Sequence, residues 1–600
     1  LAIVDLSAEG AQPMASASGR YVVVFNGEIY NFPEVRHELE QLGARFRGHS
    51  DTEVMLAAID QWGFVKALPL FNGMFALALW DRHERKLWLA RDRLGKKPLY
   101  HGLVNGALVF ASELKAIRVV PGFGAQICRQ ALTSFLRHNY VPAPYCIYEG
   151  LSKLEAGHAA SFVFHNGEVV ADGKVQYWSA AQAAREGAAN RYSGSAEAAA
   201  NDLDGLLRDA VRMRMISDVP LGAFLSGGID SSLVVALMQA QSATPVRTFT
   251  VGFDEANFNE AVYAKRIAEH LGTDHTEIFL SPADALDVIP RLADVYDEPF
   301  SDSSQIPTYL VCREARRRVT VCLSGDGGDE GFCGYKRYVW WRQIWKAVRW
   351  LPQGLRHALA SGVGGFPVST LDRVMRPLFG VLPSRFRSDT PGDRLHKLAA
   401  VIGEPSPDAL YRRLISHWND PAGVVLGGSE PADGRFSDAG INDPNEFTER
   451  MMLLDILNYL PDDILVKVDR ASMAVSLEVR APLLDYRVLE FGMGLPLDYK
   501  LQGTSGKYIL RQILNRYVPL QMFDRAKTGF GVPIEHWLRG PLRDWAEDLL
   551  APVRLRDQGF FAPDRVQSVW NQHINREKPG HYLLWDILMF QAWLDNAGTS

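Results

Sequence analysis

The stretch Gly222-Ala223-Phe224-Leu225-Ser226-Gly227-Gly228-Ile229-Asp230-Ser231-Ser232 runs from an apolar strand through a Gly-Gly turn into an apolar helix reaching Gln239. Two glycines let the backbone come close to a ligand, and the helix start behind them presents unpaired N–H groups to an anion. An ordinary βα turn needs only the glycines. The hydroxyls of Ser226, Ser231 and Ser232 and the Asp230 carboxylate favour a phosphate cradle, with Asp230 placed to hold Mg²⁺ against the phosphates. No Gly-x-x-x-x-Gly-Lys-Ser/Thr occurs, so the loop is not of the type that cleaves a γ-phosphate.

Outward from this loop, strands are expected over 247–253, 276–280 and 319–323, with a helix over 260–271. Strands alternating with helices of this length predict βαβ units and a parallel sheet. A second loop, Leu323-Ser324-Gly325-Asp326-Gly327-Gly328-Asp329-Glu330, leaves the end of the last strand. Ligands of such sheets bind beyond the carboxyl ends of the strands, so both loops are expected to line one cleft. Beyond Tyr338 the pattern is mostly helical. Residues 1–178 read differently: strands over 21–25, 74–80 and 86–91, two helices over 32–42 and 51–62, and an α+β fold with packed sheets. Residues 179–197, rich in Ala, Ser, Gly and charge, are the expected linker to a second domain over 198–600.

Composition narrows the function. The 600 residues are 47% hydrophobic and 22% charged, an ordinary soluble balance. A net charge of −6 gives no basic excess for nucleic acid. No apolar run approaches the ~18–20 residues of a bilayer span, and no leading signal segment is seen, so the expected location is the cytosol. Five widely spaced cysteines predict reduced thiols rather than disulfides. From 341 to 400 there are ten Lys/Arg against three Asp, with Trp340, Trp341, Trp345 and Trp350 near the start. Packed helices with a solvated basic face are expected there; a basic aromatic helix at a membrane surface, near 335–351, is the alternative.

The first loop resembles the pyrophosphate loop of the ATP pyrophosphatases, which cleave ATP between the α and β phosphates to make an acyl adenylate. Further stretches make the resemblance specific: Asn26-Gly27-Glu28-Ile29-Tyr30-Asn31, Ser50-Asp51-Thr52-Glu53, Arg91-Asp92-Arg93-Leu94-Gly95, Lys97-Pro98-Leu99-Tyr100, Lys467-Val468-Asp469-Arg470, Leu477-Glu478-Val479-Arg480-Ala481-Pro482-Leu483-Leu484-Asp485 and Lys527-Thr528-Gly529-Phe530. In this order they resemble the glutamine-hydrolysing asparagine synthetases, the asparagine synthetase B family. The resemblance implies an N-terminal-nucleophile glutaminase sandwich, followed by an α/β ATP pyrophosphatase domain with a helical C-terminal part.

Residue by residue it implies that Asn26 and Gly27 donate to the oxyanion of glutamine hydrolysis and that Glu28 and Asp51 hold the glutamine ammonium. Asn-Gly by itself also favours a hairpin turn. In the second domain it implies nucleotide contacts from Leu225, Ser226, Gly227, Gly228, Asp230, Ser231, Val251, Ser324 and Gly325. Asp326 would act in acyl-adenylate formation, Asp230 and Asp329 would hold Mg²⁺, and Lys527 would neutralise the α-phosphate. ATP, L-glutamine and L-aspartate are the implied substrates, with another carboxylate such as a uronic acid, or a non-catalytic scaffold, as alternatives. An enclosed passage for ammonia is also implied; the oligomeric state stays open, a dimer being compatible. Deviations are Gly331-Phe332-Cys333-Gly334 for Leu-Phe-Gly-Gly and Glu155-Ala156-Gly157-His158 for Pro-Pro-Gly-His. His49 and His158 are expected to be structural. The family's first-residue cysteine nucleophile has no counterpart before Cys128; it is expected upstream of Leu1, and glutamine hydrolysis is not expected without it.

Overall fold

The computed structural model describes residues 3–253, 261–340, 350–364, 402–404, 406–431, 447–525 and 532–598, with residues 370, 373 and 399. Most of the basic stretch 341–400 and Lys527 lie outside the described residues.

The first segment is built on β1 (Met14–Ala15), β2 (Tyr21–Ile29), β3 (Gly73–Asp81), β4 (Lys86–Arg91), β5 (Tyr100–Val104), β6 (Ala107–Ala111), β7 (Leu151–Lys153), β8 (His158–His165) and β9 (Glu168–Gln176). They form a six-stranded sheet ordered β1-β2-β3-β4-β8-β9 and a three-stranded sheet ordered β6-β5-β7, every pairing antiparallel. Helices α1 (Phe32–Gln41) and α2 (Asp51–Trp62) cover the larger sheet through Leu39, Met55, Ile59, Val23, Phe75 and Leu77. Ser50 starts α2 by accepting the Glu53 N–H, with Asp51 and Glu53 in its first turn, a capped and dipole-matched start. On the opposite face Ala76, Ala78 and Leu89 meet Leu99 and Leu154.

The second segment carries β10 (Leu221–Phe224), β11 (Arg247–Phe253), β12 (Asp274–Leu280), β13 (Val321–Leu323) and β14 (Glu478–Arg480) in a sheet ordered β12-β11-β10-β13-β14. All its pairings are parallel, as the alternating pattern predicts. The helices Ile229–Gln239 and Ala261–Leu271 follow β10 and β11. The last predicted strand is shorter than expected, covering only 321–323.

Residues 179–197 are not a bare linker. Ser179 caps a helix, Ala180–Ala189, whose Ala180, Ala181, Ala183 and Ala184 are buried. Small side chains there permit close packing on the helix Tyr486–Gly494: a Cβ on Gly187 would lie 2.9 Å from the Gly494 nitrogen. The two segments also share a core, in which Phe135 of the helix Arg129–His138 lies with Trp585 and Trp593 of the C-terminal helix His581–Gly598. None of the five cysteines is in a disulfide. Among the described residues no helix is long and apolar enough to cross a membrane.

Candidate active sites

Both predicted loops line one cleft of about 970 Å³ at the carboxyl ends of β10 and β13. Leu225, Ser226, Gly227, Gly228, Asp230, Ser231, Val251, Ser324, Gly325, Asp326 and Asp329 all border it. The Ser226 and Ser231 hydroxyls stand 3.0 Å apart. The loops touch: a Cβ on Gly325 would lie 2.6 Å from the Ser231 nitrogen, and one on Gly328 2.3 Å from Asp230 Oδ1. Asp230 and Asp329 are hard oxygen donors that fit a Mg²⁺ keeping its other positions for water and phosphate. Among the described residues no group of three or more His, Cys, Asp and Glu gathers around a metal position.

Three groups were not singled out from sequence. Lys507, in the left-handed conformation before the helix Tyr508–Leu514, sends Nζ between the two carboxylates, pairing with Asp230 and lying 2.8 Å from Asp329. Burial opposes its charge, but Asp230 and Asp329 outweigh it and hold the ammonium firmly protonated. Glu330 is 2% exposed and accepts from Tyr335 Oη at 2.5 Å; burial, with Asp329 beside it, pushes its carboxyl up. Asp326 is likewise raised by burial, while the Ser324 hydroxyl donating at 2.7 Å opposes the shift. The third group is the Asp302–Lys467 ion pair, at 2.6 Å. Both line the same cleft with Tyr459 and Tyr582. Burial raises the Asp302 carboxyl, but Lys467 outweighs it and holds it at about 2.

A second cavity, of about 360 Å³, is bordered by Asn26, Gly27, Glu28 and Asp51 together with Asp469, Arg470, Met473 and Glu478. Asn26-Gly27 is not a hairpin turn. Both lie inside β2, opposite Ala76 and Phe75, and a Cβ on Gly27 would sit 2.0 Å from the Met74 carbonyl oxygen. Close strand approach, rather than turn geometry, therefore demands the glycine. Asn26 Nδ2 donates to Ser112 Oγ at 3.0 Å. Glu28 faces Arg480 Nη2 at 3.1 Å; burial pushes its carboxyl up against that guanidinium. Asp51 accepts the Ile29 N–H at 2.8 Å, and burial moves its carboxyl up to about 6. His49 and His158 are satisfied hydrogen-bonders, on Asp218 at 2.9 Å and the Ala156 carbonyl at 2.8 Å.

One helix, Leu465–Met473, separates the two cavities. Lys467 and Val468 face the nucleotide cleft and Asp469, Arg470 and Met473 the other cavity. Lys97 pairs with Asp469 at 2.9 Å from across the segment boundary. Arg480 joins the sites from the sheet side, since its carbonyl accepts the Ser324 N–H at 2.9 Å.

Comparison with known proteins matches residues 202–595 to the asparagine synthase family and residues 1–178 to the glutamine amidotransferase domain. An asparagine synthetase [glutamine-hydrolyzing] 1 of Bacillus subtilis strain 168 is 31% identical over 599 residues, covering 99% of this chain and 88% of that protein. A putative asparagine synthetase [glutamine-hydrolyzing] of Mycobacterium tuberculosis strain H37Rv is 33% identical over 610 residues, covering 99% and 87%. A more distant relative, the amidase chyE of Penicillium rubens, is 26% identical over 627 residues, covering 96% and 87%.

Proposed function

Because the chain belongs to the asparagine synthase family and carries a glutamine amidotransferase domain, we propose that it amidates the side-chain carboxylate of L-aspartate at the expense of ATP. A carboxylate oxygen attacks the α-phosphorus, the bond to the β-phosphate bridge breaks, and pyrophosphate leaves. Ammonia from glutamine then attacks the acyl carbon of β-aspartyl-AMP; AMP leaves and the nitrogen loses a proton.

The Asp302–Lys467 pair at the cleft wall is the observation that carries aspartate. An amino acid needs a carboxylate for its ammonium and a cation for its α-carboxylate, and this pair offers both together. A uronic acid has no ammonium and leaves Asp302 without that use. The loop N–H groups and the Ser226 and Ser231 hydroxyls are suited to the pyrophosphate, and Lys507 supplies a fixed charge for the phosphates. Mg²⁺ bound by Asp230 and Asp329 would add charge neutralisation. Lys527 stays the candidate that the family resemblance supplies for the α-phosphate. In the smaller cavity Asn26 and the Gly27 N–H are suited to the oxyanion, and Glu28 and Asp51 to the glutamine ammonium.

Aspartate labelled with ¹⁸O in its side-chain carboxylate tests this reading. One label is expected in AMP for each asparagine formed from ammonium chloride. Label in inorganic phosphate instead, or none in AMP, contradicts it.

A further inference from the structure

Tyr459 borders the nucleotide cleft together with Lys467, and no step derived above uses its hydroxyl. It stands in Asp455–Ile464, a stretch wound as a π-helix that contains Pro461, a residue with no N–H to give to an α-helical ladder. Such wide turns are rare and recur at functional sites. The half-buried ring is fixed by its neighbours: the Arg337 guanidinium lies 5.0 Å from the Tyr459 ring centre and 4.2 Å from that of Tyr335. Arg337 is in turn held by Asp455 at 2.7 Å. That carboxylate is fully buried and also accepts from the Tyr338 and Tyr411 hydroxyls. A ring held in this way loses little freedom when a ligand binds its hydroxyl.

Among the described residues the Tyr459 hydroxyl has no hydrogen-bond partner, although three acids, Asp463, Asp302 and Glu330, act on it. Each of them takes another donor. Asp302 pairs with Lys467 at 2.6 Å, Glu330 accepts from Tyr335 Oη at 2.5 Å, and Asp463 accepts from Asn139 Nδ2 at 3.1 Å. Burial is the largest influence on the phenol, and with the acids it outweighs Arg337, so the hydroxyl keeps its proton and can donate. The charges acting on it belong to the Asp302 end of the cleft and to the second loop, not to the first loop, where the phosphates are expected. A free donor is thus left in the part of the cleft assigned to the acyl substrate.

We propose that the Tyr459 hydroxyl is the hydrogen-bond donor that orients the reacting carboxylate of the acyl substrate in the nucleotide cleft. One carboxylate oxygen accepts this bond, which leaves the other to face the α-phosphorus of ATP. No proton is transferred and no bond to Tyr459 forms. The inference rests on the adenylation step proposed above, but not on the choice of aspartate, because every carboxylate adenylated here presents the same two oxygens.

The test is Tyr459→Phe, which removes the hydroxyl and keeps the ring packed on Arg337 and Tyr335. ATP–pyrophosphate exchange is measured with Mg²⁺, varying the carboxylate at saturating ATP and then ATP at saturating carboxylate. The carboxylate is aspartate or a uronic acid, whichever supports exchange in the wild type. The variant is expected to raise KM for the carboxylate about tenfold or more, the scale of one hydrogen bond to a charged group, while KM for ATP stays within about twofold. A partly unfolded preparation lowers the rate without changing KM, so this split separates a lost hydrogen bond from a lost fold. A rise below about threefold for the carboxylate, or an equal rise for ATP, overturns the proposal.

The wild type separates this inference from the reading beneath it. Exchange by the wild type with an unchanged carboxylate KM in Tyr459→Phe removes Tyr459 alone. Exchange by the wild type with neither carboxylate contradicts the adenylation step, and the role of Tyr459 falls with it.

Discussion

Lys507→Met is expected to lower aspartate-dependent ATP–pyrophosphate exchange by about 10²-fold or more, the scale on which fixed charges act on a developing phosphate transition state. The residue is 5% exposed and its ammonium spans Asp230 and Asp329. Without it two carboxylates face each other at the place where an anionic ligand must bind. Arginine should rescue poorly, since a planar fork does not replace a compact point charge between two acids. Circular dichroism of the variant distinguishes a lost charge from a lost fold; native spectra with exchange within threefold of the wild type would remove Lys507 from the site.

Asp485→Ala is expected to cost about 3–5 kcal/mol of stability, the range for breaking a buried ion pair from one side. The carboxylate is fully buried and gathers Arg214 Nη1 at 3.0 Å, Arg487 Nη2 at 2.9 Å and Asn72 Nδ2 at 2.8 Å. Asn72 belongs to the first segment and both arginines to the second, so the loss falls on the joint between them. Burial opposes the charge, but Arg214 and Arg487 outweigh it and hold the carboxyl well below the usual range. This contribution is thus fully present above the unfolded carboxylate value near ~4 and fades as pH falls through the lower folded value. Urea unfolding at pH 7 reads the difference; a change under 1 kcal/mol would show that the joint does not depend on Asp485.

The nucleotide loops were legible in the sequence because their chemistry is contiguous: glycines, hydroxyls and carboxylates within a few residues between a strand and a helix. Lys507 and Asp302 were not, since each is joined to its partners across more than 150 residues; Lys467 stands in one of the quoted stretches, but its pairing with Asp302 has no local signature. Asn26-Gly27 shows local preference overruled by pairing. The dipeptide has turn propensity, yet β3 runs along it and the Met74 carbonyl leaves no room for a side chain. The helix Arg129–His138 does carry a legible period, with Leu132, Phe135 and Leu136 at helical spacing among the polar Arg129, Gln130 and Arg137, although no helix is expected there from the strand-rich surroundings. Ala180–Ala189 was hidden by its alanines, whose small buried face reads as low complexity until Tyr486–Gly494 is packed on it.

The measurement that bears most directly on the function is ATP–pyrophosphate exchange by the wild-type chain with Mg²⁺, with aspartate and a uronic acid supplied in turn. Exchange that requires aspartate and is absent with the sugar acid is the result predicted by the Asp302–Lys467 pair. Exchange with the sugar acid and none with aspartate would contradict the proposed function while leaving the adenylating cleft intact.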